Sequence, residues 1–169
     1  AFFRRQRQMC IRDRSFRKFC LNIPFQGKLF ANGDYQEVLE VVENLPRNIS
    51  LYGFEDINDL QILEFTQNKN GSHFVLFDKK NNNKMNFKTN MIGKHNVLNV
   101  AAAIAVALDE GIPYEGIKKA LEKFIVIERR FQLISENVFE KDIILIDDYG
   151  HHPKELLVSI NTAKEVWPD

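Results

Sequence analysis

Residues 93–112 read GKHNVLNVAAAIAVALDEGI and contain the longest apolar segment of the chain, residues 97–108. Five alanines in this segment keep its side chains short, and apolar residues surround it on nearly every face. This pattern predicts a buried helix that packs closely against its neighbours. Gly111 and Pro113 are typical residues at the end of such a helix.

Upstream of this helix, short apolar runs alternate with a helical pattern. Two short strands are predicted at 28–31 and 49–52, and three alternating runs predict an antiparallel meander at 60–66, 73–77 and 85–89. Ser15 is predicted to cap a helix with an apolar stripe of Phe16, Phe19 and Cys20, and Asp34 to cap a helix that runs to Leu45. A further helix is expected at 114–124.

Downstream, residues 131–134 and 143–146 are predicted strands, and the second resembles a buried parallel strand because it is continuously apolar. Pro153 suits the first turn of a helix at 154–166. Strand, polar turn and helix form the first half of a doubly wound unit, so the predicted class is α/β. We place a domain boundary at 125–130, which gives domains 16–126 and 127–169. Since 43 residues are few for an independent α/β domain, we expect the sequence to be truncated.

Composition excludes several functional classes. The 169 residues carry 23 basic and 23 acidic side chains, which argues against nucleic-acid binding, and no apolar run is long enough for membrane insertion. Five arginines and one acid fall within residues 1–15, a string that resembles a translated sequencing adapter, and we expect this leader to be non-native. Cys10 and Cys20 lack metal-ligand spacing and disulfide density, as expected of a cytoplasmic protein.

The first candidate site residues are His95, Asn96 and Asn99, which can share one side of the first turn of the long helix. A primary amide donates and accepts hydrogen bonds, and so matches the N6/N7 edge of adenine. The alternative is that the asparagines only cap the helix. Asn99 is the more informative, because an amide inside a helix needs a partner.

A second candidate is the pair Arg129 and Arg130 at the domain boundary. Paired arginines are often a solvated linker, but a guanidinium also binds phosphate and ribose oxygens.

The third candidate is the seven-residue turn DDYGHHP at 147–153, which follows a predicted strand. Open α/β sheets bind ligands at the carboxyl ends of their strands. The carboxylates suit ribose hydroxyls or a metal, and an imidazole can accept the proton of an amine. A zinc site or a plain polar turn is the alternative. No phosphate-loop motif occurs among the eight glycines, so spacing alone indicates only a ligand site at a domain junction.

Three strings, GKHNVLNVAAAIAVALDEGI, ERRFQ (128–132) and LIDDYGHHPKE (145–155), occur in the order and at the separations found in the Mur ligases of peptidoglycan synthesis. The chain resembles this family over residues 16–169, and Tyr52-Gly53-Phe54 resembles its central domain. The resemblance implies the end of a central ATPase domain and the start of a Rossmann-like C-terminal domain. It further implies ligation of L-alanine to UDP-N-acetylmuramate through an acyl phosphate, with ATP and Mg²⁺ as cofactors and most metal ligands outside this chain.

The same resemblance implies roles for individual residues. Asn96 and Asn99 would hold adenine with His95 beside them. Asp148 would accept hydrogen bonds from the ribose hydroxyls, and Arg130 would reach ribose or phosphate. Tyr149 and His151 would face the acceptor amino acid. Two departures are Ile125, where Gly is usual, and Lys154, where Thr is commoner and where we expect little consequence. Alternatives are a ligase that recycles murein tripeptide, which tends to have Ala in place of Gly150, and a non-catalytic adenine-nucleotide-binding module. The chain alone is expected to be inactive.

Overall fold

A computed structural model describes residues 14–124, 128–138 and 141–168. Its main feature is a five-stranded mixed sheet with the order β1-β2-β3-β4-β5. The strands β1 to β3 run parallel, and β3 to β5 form the predicted antiparallel meander. The strands are β1 (Lys28–Asn32), β2 (Asn48–Gly53), β3 (Leu60–Asn68), β4 (Gly71–Asp78) and β5 (Asn83–Thr89).

Helices and a second, small sheet complete the described chain. The described part of α1 covers residues 14–21. The other helices are α2 (Gln36–Val42), α3 (Lys94–Asp109), α4 (Tyr114–Lys123) and α5 (Pro153–Val166), and the small sheet pairs β6 (Gln132–Ser135) with β7 (Leu145–Asp147). None of the helices in these ranges is long and apolar enough to cross a membrane.

The core lies between α3 and the large sheet, as the alanine-rich sequence predicts. Val97, Ala101 and Ile104 are almost fully buried and pack in one cluster with Phe74 and Phe87 of the meander. The small alanine side chains permit this close approach of helix to sheet. The expectation of burial on every face is wrong at Val106, which is 46% exposed because it lies on the face turned away from the sheet.

The predicted cap at Asp34 is wrong. The N-cap of α2 is Tyr35, and the helix ends at Val42 rather than at Leu45. The Asp34 carboxylate instead accepts hydrogen bonds from the backbone N–H groups of Phe54 and Glu55, both at 2.9 Å. These groups lie just after β2, so a tertiary partner has displaced the local capping bond.

The cap predicted at Ser15 is also wrong, since Arg14 is already helical. Of the predicted stripe on α1, only Cys20 is buried, where it packs against Ala31 of β1 and Val42 of α2. Phe16 and Phe19 are exposed by 56% and 68%. The short helix meets the core through its last turn, so its earlier aromatic side chains remain in solvent.

The predicted order of strand, polar turn and helix after the boundary is confirmed by β7 and α5. The predicted parallel pairing of β7 is wrong, because β7 pairs antiparallel with β6 in the described residues. Its side chains are not deeply buried, and Leu145 is 47% exposed, because a two-stranded sheet covers neither face. The boundary residues 125–127, including Ile125, and the leader residues 1–13 lie outside the described ranges, and the domain division stays a prediction.

Candidate functional site

A small cavity of about 170 Å³ lies where α3, the loop before β6, and the turn from β7 into α5 meet. Sequence reasoning had assigned three of its lining residues to one nucleotide, and the fold brings these three together. They are His95, Arg130 and Asp148. The other lining residues are Gly150, Lys154, Glu155, Val158 and Ser159.

Asp148 is held at the carboxyl end of β7 by a hydroxyl group of α5. The Ser159 hydroxyl donates to Oδ2 of Asp148, in a residue that is partly buried. Among the contacts of the described residues, the other carboxylate oxygen, Oδ1, has no hydrogen-bond donor. Asp148 is therefore fixed in orientation while one oxygen can still accept a bond from a ligand.

His95 projects from the first turn of α3 into the same space. Burial lowers the pKa of its imidazole; the nearby Asp148 carboxylate raises it, and the Arg130 guanidinium lowers it further. The net direction is downward, so the ring is neutral at pH 7. Its Nδ1 is buried and has no hydrogen-bond partner in the described structure.

Gly93 provides the room for this ring. Its φ of +103° is one that L side chains rarely adopt, and a Cβ there would lie 2.6 Å from Cε1 of His95. The same Cβ would lie 3.4 Å from Cγ2 of Thr162 on α5. The glycine therefore allows the start of α3 to approach α5 closely.

The two asparagines occupy different environments, and neither lines the cavity. Asn96 is only 2% exposed, and its Nδ2 donates to the backbone oxygen of Ile92 at 2.8 Å. The capping interpretation is wrong for Asn96, because the N-cap of α3 is Gly93, no side chain caps this end, and the Asn96 amide donates to a carbonyl instead of accepting a helix N–H. Asn99 is exposed, one turn further along α3. A contact of either residue with adenine stays a prediction.

The adjacent arginines separate into two roles. Arg129 lies with its Nε 3.7 Å from Oδ2 of Asp147 and its guanidinium 4.9 Å from the centre of the Tyr149 ring. Its backbone oxygen accepts a hydrogen bond from the Tyr149 N–H at 2.8 Å. Arg129 thus secures the turn, whereas Arg130 faces the cavity.

Tyr149 and His151, the predicted acceptor-side residues, lie outside the small cavity. Tyr149 is 55% exposed, and its ring centre lies 5.5 Å from that of His151. Nδ1 of His151 lies 3.3 Å from the backbone oxygen of Tyr149 and 3.6 Å from Oε2 of Glu155. The pair forms an accessible polar surface beside the cavity.

Sequence reasoning missed that His152 and Glu155 fix this turn. His152 is the N-cap of α5, and its side chain accepts a hydrogen bond from the Lys154 N–H at 3.2 Å. Glu155 completes a capping box by accepting the backbone N–H groups of His151 and His152, and these bonds lower its pKa. The three-residue spacing of a capping box, from 152 to 155, was present, but the usual Ser or Thr is replaced by His.

Gln67 was also missed, because its partners come from distant parts of the chain. From the end of β3, its Oε1 accepts the backbone N–H of Gly93 at 2.9 Å. Its Nε2 donates to Oε2 of Glu165 on α5 at 2.7 Å. A single side chain thus joins the large sheet, the start of α3 and α5. No local pattern in the sequence signals such a bridge.

Comparison with known proteins identifies the family of the chain. The sequence model of the Mur ligase middle domain matches residues 14–107. The chain belongs to the Mur ligase family. It is 37% identical over 159 residues to UDP-N-acetylmuramate–L-alanine ligase of Wigglesworthia glossinidia brevipalpis, an alignment that covers 90% of this chain and 34% of that protein. The chain therefore spans about a third of the length of this relative.

Solved structures of Mur ligases share the fold. MurF from Acinetobacter baumannii superposes with a TM-score of 0.70 at 23% identity, over 83% of this chain and 29% of that one. UDP-N-acetylmuramate–alanine ligase MurC from Thermotoga maritima superposes with a TM-score of 0.66 at 24% identity, over 83% and 30% of the two chains. These likenesses confirm the predicted α/β class of this Mur ligase segment.

Within residues 14–124, 128–138 and 141–168, no group of three or more His, Cys, Asp or Glu side chains is placed so that it could hold a metal ion. The expected Mg²⁺ accordingly stays a prediction.

Proposed function

We propose that this chain is part of an ATP-dependent ligase that joins L-alanine to UDP-N-acetylmuramate through an acyl phosphate, in peptidoglycan synthesis. The observation that carries the proposal is the convergence of His95, Arg130 and Asp148 on one cavity from both sides of the predicted boundary. The identity of 37% to a ligase of that name supports the substrate assignment.

The cavity suits one part of a nucleotide. Its volume is below the range of about 300–1,000 Å³ typical of sites that enclose a whole small molecule. The Oδ1 atom of Asp148 can accept hydrogen bonds from the hydroxyl groups of a ribose, and the Arg130 guanidinium can donate hydrogen bonds to a ribose or phosphate oxygen. The buried Nδ1 of His95 has no hydrogen-bond partner among the described residues. We assign adenine to the surface of α3 that carries His95 and Asn99.

A relative of the same fold gives independent support for the nucleotide. MurF ligase from Thermotoga maritima, with a TM-score of 0.66 and 18% identity, was solved in complex with ADP. When bound, ATP would supply the phosphoryl group that activates the carboxylate, and Mg²⁺ would supply positive charge to offset that of the phosphates. The role of this chain is to orient the nucleotide and the acceptor amine.

Tyr149 and His151 are assigned to the acceptor side. Both are accessible and follow β7, where a closing domain would present them to the amino acid. An imidazole there can accept the proton that the attacking amine loses.

The test is the release of phosphate by the complete ligase that contains this chain. Release should require UDP-N-acetylmuramate and L-alanine together, and His151→Ala should lower turnover with alanine while leaving the Michaelis constant for ATP unchanged. Asp148→Asn should instead raise the Michaelis constant for ATP. Release that depends on murein tripeptide rather than L-alanine would identify the recycling ligase. Nucleotide binding with no ligation of any acceptor would identify a non-catalytic module.

A further inference from the structure

Lys154 lies at the meeting point of two cavities. It lines the small cavity together with His95 and Asp148, and it also lines a larger cavity of about 660 Å³ formed mainly by α1, α2 and β1. It is the residue common to the linings of both. A ligand group that extends from the small cavity toward the larger one would therefore pass this side chain.

Around the small cavity, the carboxylates have hydrogen-bond donors, whereas the cationic side chains have no partners among the described residues. Each of its two carboxylates already has a donor: Asp148 accepts the Ser159 hydroxyl, and Glu155 accepts two backbone N–H groups. Across the described ranges, the side chains of Arg130 and Lys154 make neither a hydrogen bond nor an ion pair. The cavity thus presents two unpaired cations, an arrangement that favours an anionic ligand.

We propose that Lys154 binds a phosphate group of the nucleotide as it leaves the small cavity toward the larger one. The proposal rests on the proposed function, because it takes the nucleotide as the ligand and Asp148 as the contact of its ribose. Arg130 and Lys154 then lie on the path of the phosphates. Lys154 acts as a flexible point charge, which needs no fixed geometry to meet a phosphate.

The larger cavity explains why the charge is needed at this position. Most of its lining is apolar, and it contains one carboxylate, Glu37. A phosphate that entered it without a cation would lose hydration with little in return. The exposed Lys154 ammonium compensates for that loss at the boundary between the two spaces.

The test compares the binding of ATP and of adenosine to the 169-residue chain by NMR titration, a method suited to the roughly millimolar affinities expected. Lys154→Met should weaken ATP binding about threefold to tenfold, because an exposed charge pair contributes less than a buried one. Adenosine should bind equally well to both proteins, since it has no phosphate. Lys154→Arg should retain most of the ATP affinity.

Lys164→Met is the matched control. Lys164 lies on the same helix and is also exposed, but it lines neither cavity, so its loss should leave both affinities unchanged. The melting temperature of each variant shows whether the fold is retained.

Two results overturn the proposal in different ways. Suppose that the wild-type chain binds both ligands. If Lys154→Met then binds ATP as tightly as the wild type does, or if its affinities for ATP and adenosine fall by the same factor, the role of Lys154 is wrong and the nucleotide site stands. If the wild-type chain binds neither ligand, the nucleotide site and the role of Lys154 fail together.

Discussion

Replacement of Gln67 by Leu tests whether one side chain docks the start of α3 and α5 onto the large sheet. Leucine keeps most of the side-chain volume but can neither accept the Gly93 N–H nor donate to Glu165. The Gly93 amide lies in a buried residue, so its loss of a partner should cost about 1–2 kcal/mol. The bond to exposed Glu165 adds at most about 1 kcal/mol.

The sum predicts a fall of about 1–3 kcal/mol in the free energy of unfolding, or roughly 2–12 °C in melting temperature for a chain of this size. The single tryptophan of the chain provides a local readout. Trp167 lies two residues after Glu165, and it lines a cavity with Asn68 at the end of β3 and Lys69 of the β3–β4 turn. Loss of docking should therefore shift its fluorescence toward longer wavelengths before global unfolding.

Two further variants separate the contributions. Gln67→Glu keeps an acceptor for the Gly93 N–H but places a second negative charge beside Glu165. Compared with Gln67→Leu, it should lower the free energy of unfolding less and still shift Trp167 emission. Gln36→Leu is the matched control, because Gln36 makes only a long 3.5 Å contact to Glu40 on the surface. An unchanged melting temperature and unchanged Trp167 emission in Gln67→Leu would refute the docking role.

Three further predictions concern four side chains. Asp34→Ala should lower the free energy of unfolding by about 2–3 kcal/mol, measured by urea unfolding, because it removes the acceptor of two backbone N–H groups and of the fully buried Asn58 amide. Asn96→Ala should cost about 1–2 kcal/mol of stability. Asn99→Ala should cost under about 0.5 kcal/mol but weaken ATP binding, and the reverse order would contradict the assignment of adenine to Asn99. The lowered pKa of His95 means that the unfolded chain takes up a proton first as pH falls below 6.5, so the stability this residue contributes is present above that pH and lost below it. The urea midpoint of His95→Gln should therefore fall less between pH 7 and pH 5 than that of the wild type.

The elements that sequence could predict are those set by local patterns. The apolar length of residues 97–108 determines α3, and period-two alternation determines the meander, so both are confirmed. The cap at Asp34 failed because capping is a short-range rule, whereas its carboxylate found donors 20 and 21 residues away. The pairing of β7 failed because continuous hydrophobicity does not identify a neighbouring strand.

In the candidate site, too, local sequence patterns predict some residues, and tertiary packing decides the others. The charged residues that follow a strand predict a ligand site at Asp148, which stays a prediction, and the structure places Asp148 beside His95 at one cavity. Ser159 was missed, and Lys154 was expected to have little consequence, because the orientation of both side chains depends on how α5 is rotated against α3. That rotation is set by tertiary contacts, including the close approach of Gly93 to Thr162.

Because the cavity takes residues from α3 and from α5, ligand binding and helix docking must be thermodynamically linked. A nucleotide that contacts His95 and Asp148 together binds the docked arrangement more tightly than any arrangement in which these side chains separate. It therefore stabilises docking, and by reciprocity the contacts that favour docking raise nucleotide affinity. Gln67 makes two such contacts although it does not line the cavity. Its replacement should therefore lower the affinities for ATP and for adenosine by the same factor. This equal loss separates a docking contact from a phosphate contact such as that proposed for Lys154, which affects ATP alone.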